Sequence, residues 1–409
     1  MIPRLKGTDD VLPPESERWR RLLRAFDDLA ERYGYDLALM PAIESTELFS
    51  RGVGETTEVV EKQMYTFEDR GGRSVTLRPE FTAGIVRSYI ESGAQGIIKL
   101  AAAGPQFRYE QPQKGRRRQF FQVDLEYLGE AAFGADVEII EFSYRLLEMV
   151  GVEGIGLRLN SIGDAIDRVA YRDLLQDYLR KRESDLSEDA RRRIDSNPLR
   201  VLDSKADAEV VHDAPVPLDH LGTEAGSHFS QVRAALDGLG VPYEIDPRLV
   251  RGLDYYNRTV FEFYSSSFEA AQSSLGGGGR YDPLAELIGS RHAVPAVGVA
   301  MGCDRIVEAM PGSGGNRLDL YVVVVERNRT AEAMQWVSRL RGRGLKVDWD
   351  ISASRSVKSQ FKAANRSKAA AVAMVGAEWS EGLVSLKVLE TGEEHQVSVE
   401  EVEEWMKQH

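Results

Sequence analysis

The stretch RQFFQVDLEYL, residues 118–128, constrains the fold more than any other. In an extended strand, side chains alternate between faces and residues two apart share one. Gln119, Phe121, Val123, Leu125 and Tyr127 then form a face that is apolar after its first member and belongs to a core. Phe120, Gln122, Asp124, Glu126 and Leu128 form the other, with an amide and two carboxyls in a row. That second face is either solvated, as one side of an antiparallel sheet commonly is, or buried with partners that offset its desolvation. Residues 105–128 as a whole predict two antiparallel strands joined by the long loop QPQKGRRRQ.

Other elements follow from hydrophobic periodicity. Trp19, Leu22, Leu23, Phe26, Leu29 and Ala30 recur at three-four spacing, which predicts a helix over 15–33 that Gly34 ends. Residues 35–43, YDLALMPAI, read as a strand interrupted by Pro41, at a sheet edge or bulge. SVTLRPE (74–80) reads as a strand leading into a helix over 81–91; a helix over 136–150 and strands over 155–160, 258–264 and 295–301 follow. Between about Asp164 and Gly238 the chain is charged, helical in pattern and free of strand signals. MPGSGGNR (310–317) has the composition of a linker. Beyond it, YVVVV, KVDWD and AVAMV alternate with helical patterns over 330–343 and 355–366, and a hairpin ends the series. This is a small α/β domain.

Composition narrows the function classes. A chain of 409 residues is too long for one ordinary core, and 42% hydrophobic with 29% charged residues is a globular balance. Apolar runs such as YVVVV fall far short of the ~18 residues of a membrane helix, and the first ten residues carry no secretion signal. Cytoplasm is the expected compartment, and no membrane partner is expected. The single cysteine, Cys303, excludes a disulfide framework and a thiolate zinc cluster. The six histidines form neither HxxxH nor HExxH, so no metal site is expected. A net charge of −13 argues against indiscriminate nucleic-acid binding. Charge is polarised locally, however: residues 317–370 carry twelve Lys/Arg against five Asp/Glu, and residues 371–409 carry two against nine.

Arg108 and Glu110 share a face of the strand before the basic loop, and Lys114, Arg116, Arg117 and Arg118 crowd the loop itself. Such a run is a solvated turn or, opposite an acidic sheet face, a site for polyphosphate. GGGGRYD (276–282) lacks the lysine and hydroxyl of a P-loop, so it reads as a flexible turn or a place where backbone approaches a ligand. RGLDYYNRTVFEF (251–263) sets Arg251, Asp254, Tyr255 and Tyr256 before an alternating strand, and Arg305 falls in the first turns of a helix. Arg108, Arg116, Arg251, Arg305, Glu80, Gln122 and Glu126 together could hold a phosphate chain beside a small cationic or amphoteric ligand.

Nearly the whole chain resembles the histidyl-tRNA synthetases, a class II aminoacyl-tRNA synthetase family. The resemblance is carried by LKGTDDVLPPE near the start, TLRPEFTA (76–83), FRYEQPQKGRRRQFFQVDLE (107–126) as motif 2 and GVAMGCDR (298–305) as motif 3. RLVRGLDYYNRTVFEF and GGGGRYD resemble the two histidine-specific segments, and the stretch around Pro41 resembles motif 1. The resemblance implies an α+β fold: an antiparallel catalytic sheet over 1–163 and 239–312, a helical insertion over 164–238 and an α/β anticodon-binding domain over 318–409. It also implies a homodimer that uses L-histidine, ATP and tRNA(His), with Mg2+ accompanying ATP.

By the same resemblance, Arg108 and Arg251 are the catalytic cations, in contact with the α-phosphate and carboxylate region, and Arg251 is also one of the histidine-binding residues. Glu110, Arg116, Phe120 and Arg305 complete the ATP site, with Phe120 and Arg305 on opposite faces of the adenine. Glu80, Thr82 and Gln122 hold the histidine amino group. Glu126, Tyr256 and Tyr281 read the imidazole, with Tyr255 in support. Arg355, Lys358, Gln360 and Lys362 are candidate tRNA contacts. Phe81 stands where the family commonly has a small residue, and Asn257 where threonine is frequent. Two other functions share the fold: the regulatory subunit of ATP phosphoribosyltransferase, and a domain that senses uncharged tRNA. The intact RGLDYY and the ninety residues after the linker favour the enzyme.

Overall fold

A computed structural model of the chain describes residues 2–54, 57–110, 117–202, 204–268, 273–312, 318–351 and 355–408. The chain forms two compact units that part at Gly312.

The first unit is built on an eight-stranded sheet. Its strands, in spatial order, are β1 (Asp36–Leu37), β5 (Ile98–Phe107), β6 (Gln119–Leu128), β11 (Ala296–Gly302), β10 (Ser274–Arg280), β9 (Asn257–Ser265), β7 (Ile155–Ser161) and β8 (Glu244–Ile245). The pairs from β5 to β7 are antiparallel, and only the short outer strands β1 and β8 pair in parallel. A three-stranded sheet, in the order β2 (Ile43–Ser45), β4 (Ser74–Leu77), β3 (Tyr65–Glu68), stands beside it. Pro41 therefore separates two strands of different sheets, where the sequence reads one interrupted strand.

The period-two reading of β6 holds. Val123 and Leu125 belong to the main core, where helix Glu15–Tyr33 adds Trp19, Leu22, Phe26 and Leu29 and helix Phe133–Met149 adds Ile139, Ile140, Phe142 and Leu146. Gln122, Asp124 and Glu126 face the other way and are buried as well, so the solvated alternative is excluded.

The stretch 164–238 contains no strand among its described residues. Helices Ala165–Arg180 and Glu188–Ser196 close over a core of their own, with Tyr171, Leu175, Leu179 and Ile194. Helix Thr223–Leu239 instead gives Phe229, Val232 and Leu236 to the main core.

GGGGR is a strand rather than a turn: β10 lies between β9 and β11. Four glycines give no alternation to read and have low β propensity. The flanking strands dictate the conformation.

In the second unit, β12 (Leu318–Val324) lies between β13 (Val347–Trp349) and β14 (Ala369–Val375), and the order continues with β15 (Leu383–Val388) and β16 (Glu394–Ser398). The strands β13, β12 and β14 are parallel. Leu320, Val322 and Val324 pack under Trp336 and Val337, while Tyr321 and Val323 pack on Ala363 and Ala364. Burial on both faces is why this strand reads as an unbroken apolar run.

Candidate active site

The buried polar face of β6 opens into a cavity of about 260 Å³, at the small end of ligand sites. Glu80, Thr82, Arg108 and Gln122 line one side; Arg251, Tyr255, Tyr256, Tyr281 and Arg305 line the rest. Gln122 on β6 and Arg251 just before β9, far apart in sequence, converge because β6, β11, β10 and β9 are consecutive in the sheet.

Glu126 lies beside this wall, fully buried, and its carboxyl is held on both oxygens. Thr82 Oγ1 donates to Oε1 at 2.6 Å and the Tyr281 hydroxyl donates to Oε2. Burial raises this carboxyl to about 8, against the two donors that favour its charged form. Glu80 accepts the Ala83 N–H at 3.0 Å, and burial raises its pKa too. Asp124, between Gln122 and Glu126, is buried with no hydrogen-bond partner among the described residues. Burial and then the charges of Glu126 and Glu80 push it well above the carboxylate range.

The cations are fixed with equal care. Arg108 Nε donates to the Pro79 carbonyl at 3.0 Å, and its guanidinium stands 5.2 Å from the centre of the Phe120 ring. Arg251 pairs with Glu262 at 2.7 Å, and Ser274 Oγ donates to the same carboxylate oxygen at 3.1 Å. Tyr255 packs between Tyr256 and Tyr281, with ring centres 4.8 and 5.6 Å away. Burial pushes the Tyr256 phenol up to about 12, with Arg251 acting against it.

The glycines make room for these side chains. A Cβ on Gly298 would lie 1.8 Å from Glu126 Oε2, and one on Gly277 would lie 2.7 Å from Arg251 Cζ. Both clearances are far below van der Waals contact, so β10 and β11 can pass beneath the site only without side chains there.

Some expected site residues lie elsewhere. Glu110 and Phe120 do not line this cavity, and Arg116 lies outside the described residues. Arg117 of the basic loop is committed to Asp304 at 2.5 Å and Asp9 at 3.1 Å rather than presented to a ligand. Phe81 is buried with its ring 4.3 Å from the Arg78 guanidinium, and it does not line the cavity. In the second unit, Arg355, Lys358 and Lys362 are exposed. Gln360 is a correction. It is buried, exchanges hydrogen bonds with the backbone of Val324 at 2.9 and 3.1 Å and donates to the Arg355 carbonyl at 3.1 Å. It joins helix Val357–Arg366 to β12 and has no surface to offer RNA.

Glu262 was not foreseen as the partner of Arg251. The signal was present: Phe261 and Phe263 face the core, so the residue between them must face the site side.

A profile of the family described as Histidyl-tRNA synthetase matches residues 7–306, and one described as Anticodon binding domain matches residues 319–409. The Histidine--tRNA ligase of a Synechococcus strain is 44% identical over 410 residues, covering 97% of this chain and 93% of its own. That of a Geobacillus strain is 41% identical over 420 residues, covering 100% and 98%. The crystal structure of the apo histidyl-tRNA synthetase of S. aureus matches with a TM-score of 0.79 at 33% identity, over 100% of both chains. A structure described as an ATP phosphoribosyltransferase regulatory subunit/histidyl-tRNA synthetase, from Bacillus halodurans, has a TM-score of 0.65 at 22% identity. It covers 92% of this chain and 99% of its own, and shares the fold alone. The profile over the first unit, the second profile beyond it and relatives matched end to end agree: the chain belongs to the histidyl-tRNA synthetase family of class II aminoacyl-tRNA synthetases.

Proposed function

We infer that the chain condenses L-histidine with ATP to histidyl-adenylate, releasing pyrophosphate, and then transfers the histidyl group to the 3′ end of tRNA(His). The observation that carries the reading is a buried carboxyl, Glu126, held by Thr82 and Tyr281 beside a cavity that Arg108 and Arg251 also line.

In the first step a carboxylate oxygen of histidine attacks the α-phosphorus, and the bond to the pyrophosphate oxygen breaks. Negative charge gathers on the α-phosphate, where cations already fixed in place need no reorganisation. Arg108 and Arg251 are proposed for this role, since each is anchored by a partner that leaves part of its guanidinium for the ligand. In the second step a hydroxyl of the terminal ribose attacks the acyl carbon and AMP leaves. Glu110, Phe120 and Arg305 are proposed for the adenine and Arg116 and Arg305 for the outer phosphates; the support is the family pattern and the place of Arg305 on the cavity wall.

Glu80, Thr82 and Gln122 would hold the amino group of histidine. Glu126, with Tyr256 and Tyr281, would meet the imidazole N–H groups. A ligand without ring donors leaves the buried carboxyl less well paired, and such sites reject those ligands strongly. Magnesium is proposed to come on the phosphates of ATP, in keeping with its usual ligation. Among the described residues no group of three His, Cys, Asp or Glu is placed to hold a metal ion.

The core over 1–163 and 239–312 would carry the chemistry, the stretch 164–238 would serve as a helical insertion, and 318–409 would read the tRNA through Arg355, Lys358 and Lys362. A homodimer is supported by the apolar surface around motif 1, where Leu37 is 64% and Leu39 82% exposed. We place the reaction in the cytoplasm; among the described residues no helix is long and apolar enough to cross a membrane. Transfer of labelled histidine to tRNA tests the whole reading. The expected result is charging with histidine and with no other amino acid. Histidine binding without charging would instead favour the regulatory subunit.

A further inference from the structure

The loop that carries Arg251, Tyr255 and Tyr256 packs its two tyrosine rings into a core and bonds the Asp254 N–H to the Val53 carbonyl at 3.2 Å, yet it also runs between two cavities. Residues 250–256 form no helix or strand. On one side they line the 260 Å³ cavity of the site; on the other they line a second cavity of about 480 Å³. Arg251, Leu253, Tyr255 and Tyr256 are common to both walls. Close packing fixes most buried side chains, but a partition between two cavities is packed only in part. Discrete hydrogen bonds must supply the rest.

Two of those bonds come from the helical segment. Arg168, in the first turns of helix Ala165–Arg180, donates from Nη1 to the Tyr256 carbonyl at 2.8 Å. Asn197, immediately after helix Glu188–Ser196, donates from Nδ2 to Asp254 Oδ1 at 2.9 Å. Burial lowers the pKa of Arg168, a sign that its charge is costly where it stands, with the Asp254 carboxylate acting against that shift. A partly buried guanidinium used on one peptide carbonyl is a poor source of stability. It is a good way to hold that carbonyl in place. Just beyond, Arg258 has φ +49, in the left-handed region, and its side chain forks onto Asp164 at 2.6 and 3.1 Å. The same segment therefore also grips the far end of the loop.

We propose that Arg168 and Asn197 are positioning residues for histidine activation: from the helical segment they hold the 251–256 loop at the angle that presents Arg251 and Tyr256 to the substrate. This rests on the histidine-activating reading of the site. It makes histidine affinity depend on a segment that touches no substrate, with the 480 Å³ cavity as the space into which a released loop can fall back.

The test uses the full chain with Arg168→Met, Arg168→Lys and Asn197→Ala. Arg172→Met is the control, because Arg172 lines the same rear cavity but bonds to the Asp195 carbonyl at 2.5 Å. In pyrophosphate exchange, KM for histidine should rise about tenfold or more in Arg168→Met, with KM for ATP within about twofold, since small misplacements of binding groups cost this much. Arg168→Lys should recover part of the loss, Asn197→Ala should fall between, and Arg172→Met should match the parent. Hydrogen exchange at the amides of 251–257 should quicken in Arg168→Met and Asn197→Ala while β10 stays protected. Unchanged KM for histidine and unchanged loop exchange in folded variants would overturn the proposal. A parent protein without exchange activity would refute the functional reading instead, and hydrogen exchange would still decide whether Arg168 and Asn197 hold the loop.

Discussion

Glu126 shows how one residue can serve both stability and recognition. Folded, its carboxyl binds a proton up to about 8; unfolded, only to about 4.5. The folded chain thus holds a proton that the unfolded chain has lost across that window, and stability falls as pH rises through it. The contribution is complete below the unfolded value and gone above the folded one. Glu126→Gln, which cannot titrate, should flatten the decline in Tm between about pH 5 and 8, as calorimetry can follow. An identical decline in both proteins would assign the slope to other groups. Arg251 belongs to the same scale. Arg251→Ala should slow adenylate formation by about two orders of magnitude or more while histidine binding is largely kept, because a fixed cation acts on the charge of the transition state. Undiminished turnover would make Arg251 structural. Both residues were legible in the sequence, Glu126 from the alternation of β6 and Arg251 from the RGLDYY segment. Asp124 was visible on the same face, but nothing in the pattern revealed a carboxyl buried with no hydrogen-bond partner among the described residues.

Strands rather than single residues decide what the site can contain. β10 is a strand because β9 and β11 pair with it; its Gly277 keeps the space over the sheet clear for Arg251, as Gly298 of β11 does for Glu126. Gly277→Ala would set its Cβ 2.5 Å from the Phe261 carbonyl oxygen and 2.7 Å from Arg251 Cζ. It should cost about 1–3 kcal/mol of stability, as overpacking typically does, and slow pyrophosphate exchange through the displaced Arg251. Normal stability and rate would mean that the sheet can yield there. Element type was readable wherever side chains carry a period, as in helix Glu15–Tyr33 and in β12 with both faces covered. It was unreadable in GGGGR, where local preference and tertiary pairing disagree, and such disagreements gather at functional sites. Gln360 marks the opposite error: an amide in a basic helix read as a surface group, although it serves the join between helix and strand.

At the scale of the molecule the chain forms two units, each with its own core. The basic stretch 317–370 lies within the second. Ending the chain at Gly312 should weaken tRNA charging far more than histidine-dependent pyrophosphate exchange; equal loss of both would count against a tRNA-reading role. Leu39→Glu, at a side chain 82% exposed, should shift a dimer toward monomer in sedimentation. A parent that sediments as a monomer would contradict the proposed assembly. The central claim is that the cavity beneath Arg251 and beside Glu126 activates histidine. Exchange of labelled pyrophosphate into ATP, measured with each amino acid in turn, tests it most directly. The account predicts exchange that requires histidine and falls to near background in Arg251→Ala; no histidine-dependent exchange from the folded parent protein would contradict it.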